Sequence, residues 1–269
     1  MSPKGKLKII PLGGVEEIGK NIYVLEYADD IVILDCGSIF PKEDMLGIDL
    51  VIPDVTYLKE NADRVKGFVI TRDKIRGILV THGHEDHIGA IPYVVKQLGG
   101  VVPIYGTRLT LALIELKLKE HRAMPNVALH TIVPGSSEKI GAFDVDFIKM
   151  SHSIAGAVSM AIKCPVGTVV FTGDFKVDYT PVDGELMDFQ KLAELGKRGV
   201  LALLMDSTNV ERPGYTMSEK KVGETFNALF PRAKGRIIIA MFASNVHRIQ
   251  QVVNSAQQYG RKICLTGRS

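Results

Sequence analysis

The segment THGHEDH, residues 81–87, has the residue types and the spacing of a metal site. It follows an apolar strand predicted at residues 78–80, and its four candidate ligands are His82, His84, Asp86 and His87. Imidazole nitrogens and carboxylate oxygens are ligands that zinc takes in proteins, and Gly83 allows a tight turn between the histidines. Clustered histidines without partners are costly to bury, which disfavours a purely structural role. The segment therefore predicts a centre for two metal ions.

Two further candidate ligands stand at later strand ends. His152 follows a strand predicted at residues 143–150, and Asp174 follows one predicted at residues 168–171. Either residue by itself is weak evidence for a metal site, and the ligand pattern of residues 81–87 strengthens that evidence. A carboxylate has two oxygens, so Asp174 is suited to bridge two cations, while Asp35 is placed to orient a histidine through its other ring nitrogen. Three histidines without such partners are expected to be structural, namely His121, His130 and His247.

Short β-branched strands separated by glycine turns dominate the first two hundred residues. An antiparallel meander comes first, and the predicted strands span residues 6–10, 21–26, 31–35, 127–133, 143–150, 158–163, 168–171 and 200–205. Helical spacing of apolar residues predicts helices at residues 88–98, 109–121 and 186–196. Strands on both sides of sequence-separated helices predict a layered sandwich of the α/β class.

The pattern after residue 208 changes to alternating helix and strand. Thr216 and Glu219 predict a capping box for a helix that Pro231 closes, and a second helix is predicted at residues 245–259. The strands that follow these helices are predicted at residues 236–240 and 262–265. One βαβ unit of this size is unlikely to be stable alone. We therefore expect two domains, residues 1–208 and residues 209–269, in a chain that is a fragment of a longer protein.

A near-duplication precedes the candidate metal segment. Residues 63–71, DRVKGFVIT, are echoed by residues 73–81, DKIRGILVT. Two copies are too few for a solenoid. We therefore expect either that the two copies form an extra hairpin or that the first copy is a tolerated insertion.

Charge is distributed unevenly along this chain of 269 residues, whose net charge is only +3. Residues 211–269 hold ten Lys and Arg against three acids, whereas residues 1–210 hold 23 bases and 27 acids. Such a basic segment points weakly to an anionic partner such as nucleic acid. A solvated basic surface explains the charge equally well.

Cysteine usage and apolar runs exclude other classes of protein. Three cysteines without a CxxC pair exclude a disulfide framework and a cysteine zinc site. The first residues lack the apolar core of a signal peptide, and no uncharged apolar run reaches the ~20 residues that span a bilayer. We expect a cytoplasmic protein with no membrane partner.

The order of Asp35, HGHEDH, His152 and Asp174 resembles the metallo-β-lactamase superfamily. More narrowly, the sequence is similar to the bacterial ribonuclease J family, through motifs spread over nearly the whole chain: LGGVEEIGKN (12–21), LGIDLVIPD (46–54), HGHEDHIGA (82–90), TGDFKVDYTP (172–181), MDSTNVERPGYTMSE (205–219) and FASNVHRIQQ (242–251). The resemblance implies a metallo-β-lactamase αββα sandwich. It also implies that an inserted, doubly wound β-CASP domain begins after Asp206, with an RNA channel between the two.

The resemblance also assigns roles to individual residues. It implies that one zinc ion is held by His82, His84 and His152. It implies that a second zinc ion is held by Asp86 and His87, with Asp174 bridging the two. Asp206 matches the acidic β-CASP motif and, with Asp86, is expected to be catalytic. The 5′-phosphate of RNA is expected to contact Phe242, Ala243, Ser244 and Asn245. A structural calcium ion is implied at Gly47 and Asp49.

The activity implied is that of a zinc-dependent ribonuclease that hydrolyses phosphodiester bonds of single-stranded RNA. It would be a 5′-to-3′ exonuclease with endonuclease activity, specific for a 5′-monophosphate end, in RNA maturation and decay. A homo-oligomer, dimer or tetramer, is expected.

The chain departs from the family pattern in three respects. The first is the duplication at residues 63–81, where the family pattern has one copy. Members of the family continue past residue 269, where a last zinc-binding histidine is expected, and Gly156 stands where an acidic residue is expected. Two alternatives therefore stay open: another binuclear zinc hydrolase, of lactonase or thioesterase type, and an inactive RNA-binding fragment.

Overall fold

Two β-sheets packed face to face form the centre of the structure. The computed structural model describes residues 5–61, 64–66, 69–71 and 74–267. In chain order the strands are β1 (Leu7–Gly13), β2 (Ile22–Tyr27), β3 (Asp30–Leu34), β4 (Arg64–Lys66), β5 (Val69–Thr71), β6 (Ile75–Leu79), β7 (Val102–Gly106), β8 (Val127–Thr131), β9 (Ser137–Ile140), β10 (Phe143–Lys149), β11 (Val158–Cys164), β12 (Gly167–Phe171) and β13 (Ala202–Leu204). The helices are α1 (Thr56–Asn61), α2 (Glu85–Ile88), α3 (Ile91–Leu98), α4 (Arg108–Glu120), α5 (Phe189–Arg198), α6 (Lys220–Leu229) and α7 (Val246–Gln258), with a 3₁₀ turn at Met124–Asn126.

Both sheets mix parallel and antiparallel pairs. The first sheet has the order β1-β2-β3-β6-β7-β8, in which the predicted antiparallel meander β1-β2-β3 continues into parallel strands. The second sheet has the order β13-β12-β11-β10-β9, and only its β12–β13 pair is parallel. The parallel pairs matter for function because they bring the carboxyl ends of neighbouring strands to one edge.

Apolar cores between the sheets and beneath the helices join the layers. Side chains from the inner faces of both sheets, such as Leu34 and Phe147, form the central core. On the outer face of the first sheet, α3 buries Ile91, Val94, Val95 and Leu98, which recur at helical spacing. On the outer face of the second sheet, α5 packs through Leu195. The layers therefore run helix, sheet, sheet, helix, and the predicted α/β sandwich is confirmed.

The duplicated segment forms part of a hairpin. β4 and β5 pair antiparallel, from Arg64 opposite Thr71 to Lys66 opposite Val69. Residues 63, 67, 68, 72 and 73 of the duplication lie outside the described residues. Both strands of this hairpin belong to the first copy, whereas the second copy forms β6 between β3 and β7. Among the described residues, the two copies therefore do not pair with each other, and the prediction that they form one hairpin is wrong.

Several predicted elements differ in the structure. The helix predicted at residues 88–98 is two helices, α2 and α3, which join at Gly89 and Ala90. The helices predicted at residues 109–121 and 245–259 are confirmed as α4 and α7. The strands predicted at residues 236–240 and 262–265 are wrong, because these described residues pair with no neighbouring strand, and a β-ladder requires one.

The predicted capping box at Thr216 and Glu219 is also wrong. α6 begins after Glu219, whose side chain makes no capping hydrogen bond. Its carboxylate instead accepts two hydrogen bonds from Arg248 of α7. A charged donor is a stronger partner for a carboxylate than a backbone N–H, so the tertiary contact replaces the local one.

No helix in the described part of the chain combines the length and the apolar character needed to cross a bilayer. The three cysteines are free, with Cys36 buried.

Candidate metal centre

The candidate ligands come together from loops that follow strands of both sheets. β6 leads into His82 and His84, and β10 leads into His152. β12 leads into Asp174, and β3 ends immediately before Asp35. The residues are far apart in the sequence and adjacent in space because the strand ends share one edge of the sandwich.

Helix α2, which carries Asp86 and His87, is locked against the loop after β3. Cys36 donates its N–H to the carbonyl of His87 at 2.8 Å, and Asn21 donates its N–H to the carbonyl of Asp86 at 3.0 Å. Gly37 packs so closely that a Cβ atom there would overlap the carbonyl oxygen of Asp86. Only glycine permits this approach, which sets the position of both potential ligands.

The local backbone conformation explains why position 156 is a glycine. Its φ of +78° lies in the left-handed region, and a Cβ atom would lie 2.8 Å from Thr107 Oγ1. The Thr107 hydroxyl donates to the Gly156 carbonyl at 2.9 Å. An acidic residue, as expected here from the resemblance, would be strained in this backbone.

The first ligand group has four members whose potential ligand atoms all lie within 4.8 Å of one another: His82, His84, His152 and Asp174. His152 Nε2 lies 3.1 Å from His84 Nδ1 and 3.9 Å from Asp174 Oδ2. His82 is fully buried, and its Nε2 has no hydrogen-bond partner in the structure. A buried nitrogen without a partner, facing other nitrogens and a carboxylate, is what an imidazole that binds a metal presents. The residues present therefore fit a metal ion.

Burial keeps the imidazoles of this group neutral. It lowers the pKa of His82 well below the usual value, and the neighbouring His87 lowers it further. Burial and then His84 lower the pKa of His152 to about 4. The pKa of His84 is also lowered, chiefly by burial. Neutral imidazoles have the free lone pair that binding a metal requires.

The second ligand group consists of Asp86, His87 and Asp174. His87 Nε2 lies 3.2 Å from Asp174 Oδ1 and 3.5 Å from Asp86 Oδ2. Burial raises the pKa of Asp174, but His87 and the other histidines lower it more, and the net pKa lies below the usual value. Asp174 belongs to both groups and presents a different oxygen to each, which is the arrangement of a bridging carboxylate.

Asp35 lies behind His87. It has a φ of 57° and is completely buried. Its Oδ2 lies 2.7 Å from His87 Nδ1, and its Oδ1 accepts the N–H of Thr81 at 2.7 Å. Although burial by itself lowers the pKa of His87, the carboxylates of Asp35 and Asp174 raise it well above the usual value. This contact turns His87 Nε2 towards the second group, as the predicted orienting role requires.

Asn21 contacts the second group and was not expected from the sequence. Its Nδ2 lies 3.1 Å from His87 Nε2 and donates to the carbonyl and to Oδ2 of Asp86 at 3.2 and 3.3 Å. The residue stands just before β2, at the end of the LGGVEEIGKN motif. Membership of that motif is the one sequence signal that could have found it.

Asp206 lies near the centre but outside both ligand groups. Its backbone N–H donates to Thr172 Oγ1 at 3.0 Å, and its Oδ1 accepts the N–H of Thr208 at 2.8 Å. Gly47 and Asp49 are exposed in the loop before α1. Asp49 belongs to neither of the two ligand groups formed by described residues.

The predicted phosphate-binding stretch stands at the start of α7. Phe242 and Ala243 are exposed. Ser244 lies near His84, and although burial lowers the pKa of that imidazole, the Ser244 backbone raises it slightly. Asn245 caps α7, with its side-chain oxygen accepting the N–H of Arg248 at 3.1 Å. Ser244 is therefore brought near the first ligand group, whereas Phe242 points into solvent with 84% of its surface exposed.

An ion pair joins the start of α6 to α7, and two hydrogen bonds join the start of α6 to the loop that follows Asp174. Glu219 accepts from Nε and Nη2 of Arg248 at 2.7 and 3.0 Å. Asp178 Oδ2 accepts the N–H of Glu219 at 3.2 Å, and the Ser218 hydroxyl donates to the carbonyl of Thr180 at 3.0 Å. These contacts connect the chain after residue 208 to the centre.

Two clefts open on the candidate centre. The smaller has a volume of about 270 Å³, and its lining includes His152, Lys176 and His247. The larger has a volume of about 750 Å³, and its lining includes Tyr23, His87 and Arg212. Both clefts share Asp174, Asp206, Thr208 and Asn209. A centre that opens on both sides suits an extended substrate. His247, expected to be structural, thus lies beside the centre.

Family models match most of the chain. The model described as the metallo-beta-lactamase superfamily matches residues 16–207. The model described as ribonuclease J, beta-CASP domain, matches residues 234–269.

Curated relatives match nearly the whole chain. A ribonuclease J of Synechocystis sp. is 48% identical over 264 residues, which are 98% of this chain and 40% of the relative. A ribonuclease J of Thermus thermophilus is 45% identical over 272 residues, which are 99% of this chain and 46% of the relative. The chain thus spans less than half the length of these relatives.

The fold also matches a solved structure. A protein of unknown function from Enterococcus faecalis V583 superimposes with a TM-score of 0.65, covering 93% of this chain and 63% of that one at 17% identity. At this identity the likeness concerns the fold alone. The superfamily match over residues 16–207, together with the identity to relatives from end to end, leads to one conclusion: the chain belongs to the metallo-β-lactamase superfamily and, within it, to the ribonuclease J family.

Proposed function

We propose that the protein is a metal-dependent ribonuclease that hydrolyses phosphodiester bonds of single-stranded RNA, with zinc as its metal. The observation that carries the proposal is the pair of ligand groups that share Asp174 between two clefts. Two divalent ions held there would supply positive charge to a phosphoryl group and lower the pKa of water. The curated relatives of this chain are called ribonuclease J, which supports RNA as the substrate.

The first zinc ion is assigned to the group His82, His84 and His152, and the second to Asp86 and His87, with Asp174 shared. Nitrogen and carboxylate donors suit zinc. The neutral imidazoles of the first group and the unpartnered Nε2 of His82 support this assignment. Asp86 is proposed to be catalytic through its place in the second group.

Protein side chains also handle the proton and the substrate. Asp35 holds the Nδ1 of His87 and so keeps Nε2 of that ring facing the centre. Asp206 lines both clefts, and we assign to it the transfer of the proton that the leaving 3′-oxygen requires. Lys176 and Arg212, one in each cleft, are cations that RNA phosphates on the two sides would meet.

The start of α7 is proposed to bind the RNA 5′-monophosphate, through Phe242, Ala243, Ser244 and Asn245. The N-terminus of a helix offers unpaired N–H groups and a favourable dipole to an anion. A 5′-phosphate bound there, near His84, would place the scissile bond a fixed distance from the RNA end, which favours 5′-to-3′ exonucleolytic cleavage. Internal cleavage of the same RNA would be the endonuclease activity.

Further properties follow from the same assignment. Residues 1–208 would form the metallo-β-lactamase domain and residues 209–269 part of the β-CASP domain. We expect a dimer or tetramer, to be measured by light scattering. A structural calcium ion is assigned to Gly47 and Asp49, to be measured by calcium titration of Asp49→Asn.

The test compares cleavage of 5′-monophosphorylated and 5′-triphosphorylated single-stranded RNA by the zinc-loaded protein as its native cell makes it. The expected result is faster release of mononucleotides from the monophosphorylated RNA, and a loss of at least a hundredfold in His84→Ala. Equal activity of wild type and His84→Ala would overturn the metal mechanism. Turnover of a lactone or thioester, with none of RNA, would identify a different hydrolase.

A further inference from the structure

Asn21 is bound to the second ligand group by both its backbone and its side chain. Its N–H donates to the carbonyl of Asp86 at 3.0 Å, and its carbonyl accepts the N–H of Gly37 at 3.0 Å. The backbone of Asn21 is therefore fixed between α2 and the loop after β3. Its side chain can reach the two acceptors on α2 without any movement of the main chain.

The orientation of the Asn21 amide follows from its neighbours. Nδ2 donates to two acceptors, the Asp86 carbonyl at 3.2 Å and Asp86 Oδ2 at 3.3 Å, and lies 3.1 Å from His87 Nε2. Oδ1 faces Gly14, where a Cβ atom would lie only 2.6 Å away. The N–H₂ end of the amide thus points into the ligand group.

Asp86 and His87 differ in how they are held. His87 is fully buried, and Asp35 fixes its ring through Nδ1. The Asp86 side chain is 34% exposed. Among the described residues, the side-chain hydrogen bond that its carboxylate accepts comes from Asn21. Without that bond, water competes for the carboxylate and its rotamer is free.

We propose that Asn21 is a positioning residue that sets the affinity of the second ligand group, Asp86, His87 and Asp174, for its metal ion. It holds Asp86 Oδ2, the oxygen that also lies 3.5 Å from His87 Nε2, and so fixes the orientation of the carboxylate in the second group. This inference rests on the proposed metal-dependent function. Loss of a partner that orients a metal ligand typically weakens binding about 10- to 100-fold.

The test is a titration of the metal-free protein with Co²⁺. The visible absorption of each bound ion monitors binding, and competition with a chelator gives the affinity of each step. Wild type is expected to bind two ions, and His84→Ala identifies the step that belongs to the first group. Asn21→Ala and Asn21→Leu should leave the first step unchanged and weaken the second about tenfold. Leucine has the same number and branching of side-chain heavy atoms as asparagine, so it separates loss of the hydrogen bond from truncation of the side chain.

Asn126→Ala is the matched control, because Asn126 is a half-buried asparagine on the 3₁₀ turn after α4 that donates to Gly100 O at 3.5 Å and belongs to neither ligand group. It should leave both steps unchanged. An unchanged second step in both Asn21 variants, or an equal loss in both steps, would overturn the role of Asn21. The unchanged first step shows that a variant is folded. A wild-type protein that binds no Co²⁺ at all would instead overturn the proposed function itself.

Discussion

Replacement of Asp35 by asparagine changes the chemistry behind the second ligand group with almost no change in shape. The carboxylate accepts the N–H of Thr81 through Oδ1 at 2.7 Å and faces His87 Nδ1 through Oδ2 at 2.7 Å. An amide has one oxygen and one N–H₂ group, so it can accept from only one of these donors. If it accepts from Thr81, its N–H₂ faces His87 Nδ1. The ring must then carry its proton on Nε2, the atom that a metal ion needs.

Loss of the contact between residue 35 and His87 should weaken binding of the second metal ion. A hydrogen bond to a charged group contributes about 1.5–3 kcal/mol. A wrong tautomer removes His87 from the second group, whereas the first group keeps its four members. We expect Asp35→Asn to weaken the second ion 10- to 100-fold, which is about 1.4–2.8 kcal/mol at 1.4 kcal/mol per tenfold. The affinity for the first ion should change less than threefold.

The assay is calorimetric titration of the metal-free protein with Zn²⁺, with the two steps fitted separately. The matched control is Asp146→Asn, which makes the same chemical change at a buried carboxylate of β10. Asp146 pairs with Lys163 at 2.7 Å and Lys191 at 2.9 Å and touches neither ligand group. An unchanged second step in Asp35→Asn would refute the tautomer reasoning. An equal loss in Asp146→Asn would show that the effect is a general loss of stability.

Three further predictions concern folding stability. Burial raises the pKa of Asp146, but its ion pairs lower it more, so the pKa falls from 3.8 to about 2. The stability that the ionised carboxylate contributes is therefore present above pH 3.8 and is lost as the pH falls towards 2. In acid unfolding, Asp146→Asn should lose about 1–2 kcal/mol less free energy of unfolding over this pH range than the wild type. Gly37→Ala should lower the free energy of unfolding in urea by about 3 kcal/mol or more, because its Cβ would overlap Asp86. The control Gly196→Ala, in α5 with open space around it, should raise the free energy of unfolding by about 0.5–1 kcal/mol. Equal changes in the two variants would contradict the close approach of Gly37 to Asp86. Arg248→Ala should cost about 1 kcal/mol and speed proteolysis after residue 208, since both hydrogen bonds to Glu219 are lost; an unchanged proteolysis rate would show that this ion pair does not hold the segment.

The candidate metal centre could be predicted from the sequence because most of its potential ligands lie close together in the chain. Four potential ligands lie within residues 82–87, and their spacing on a turn that leads into a short helix determines how they can converge. His152 and Asp174 were inferred from their places at strand ends, and the structure brings both to the first group. Strand and helix patterns of the first two hundred residues were readable for the same reason, since apolar periodicity reports which face is buried.

Contacts between residues distant in the sequence decided the structure of the segment after residue 208. Glu219 forms an ion pair with Arg248 rather than a capping box, because its partner lies on another helix. Residues 236–240 and 262–265 have strand-like composition but find no neighbouring strand among the described residues, and composition cannot supply a partner.

Residue types, spacing and local periodicity determined that this chain is an α/β protein with candidate metal ligands at residues 82–87. The tertiary structure decided that Asp174 serves both ligand groups, that Asp35 supports His87 rather than another histidine, and that Asn21 faces Asp86. The physical reason is that hydrogen bonds and metal geometry depend on distances of about 3 Å between side chains. Such distances are set by the packing of two sheets, and no local sequence pattern contains them.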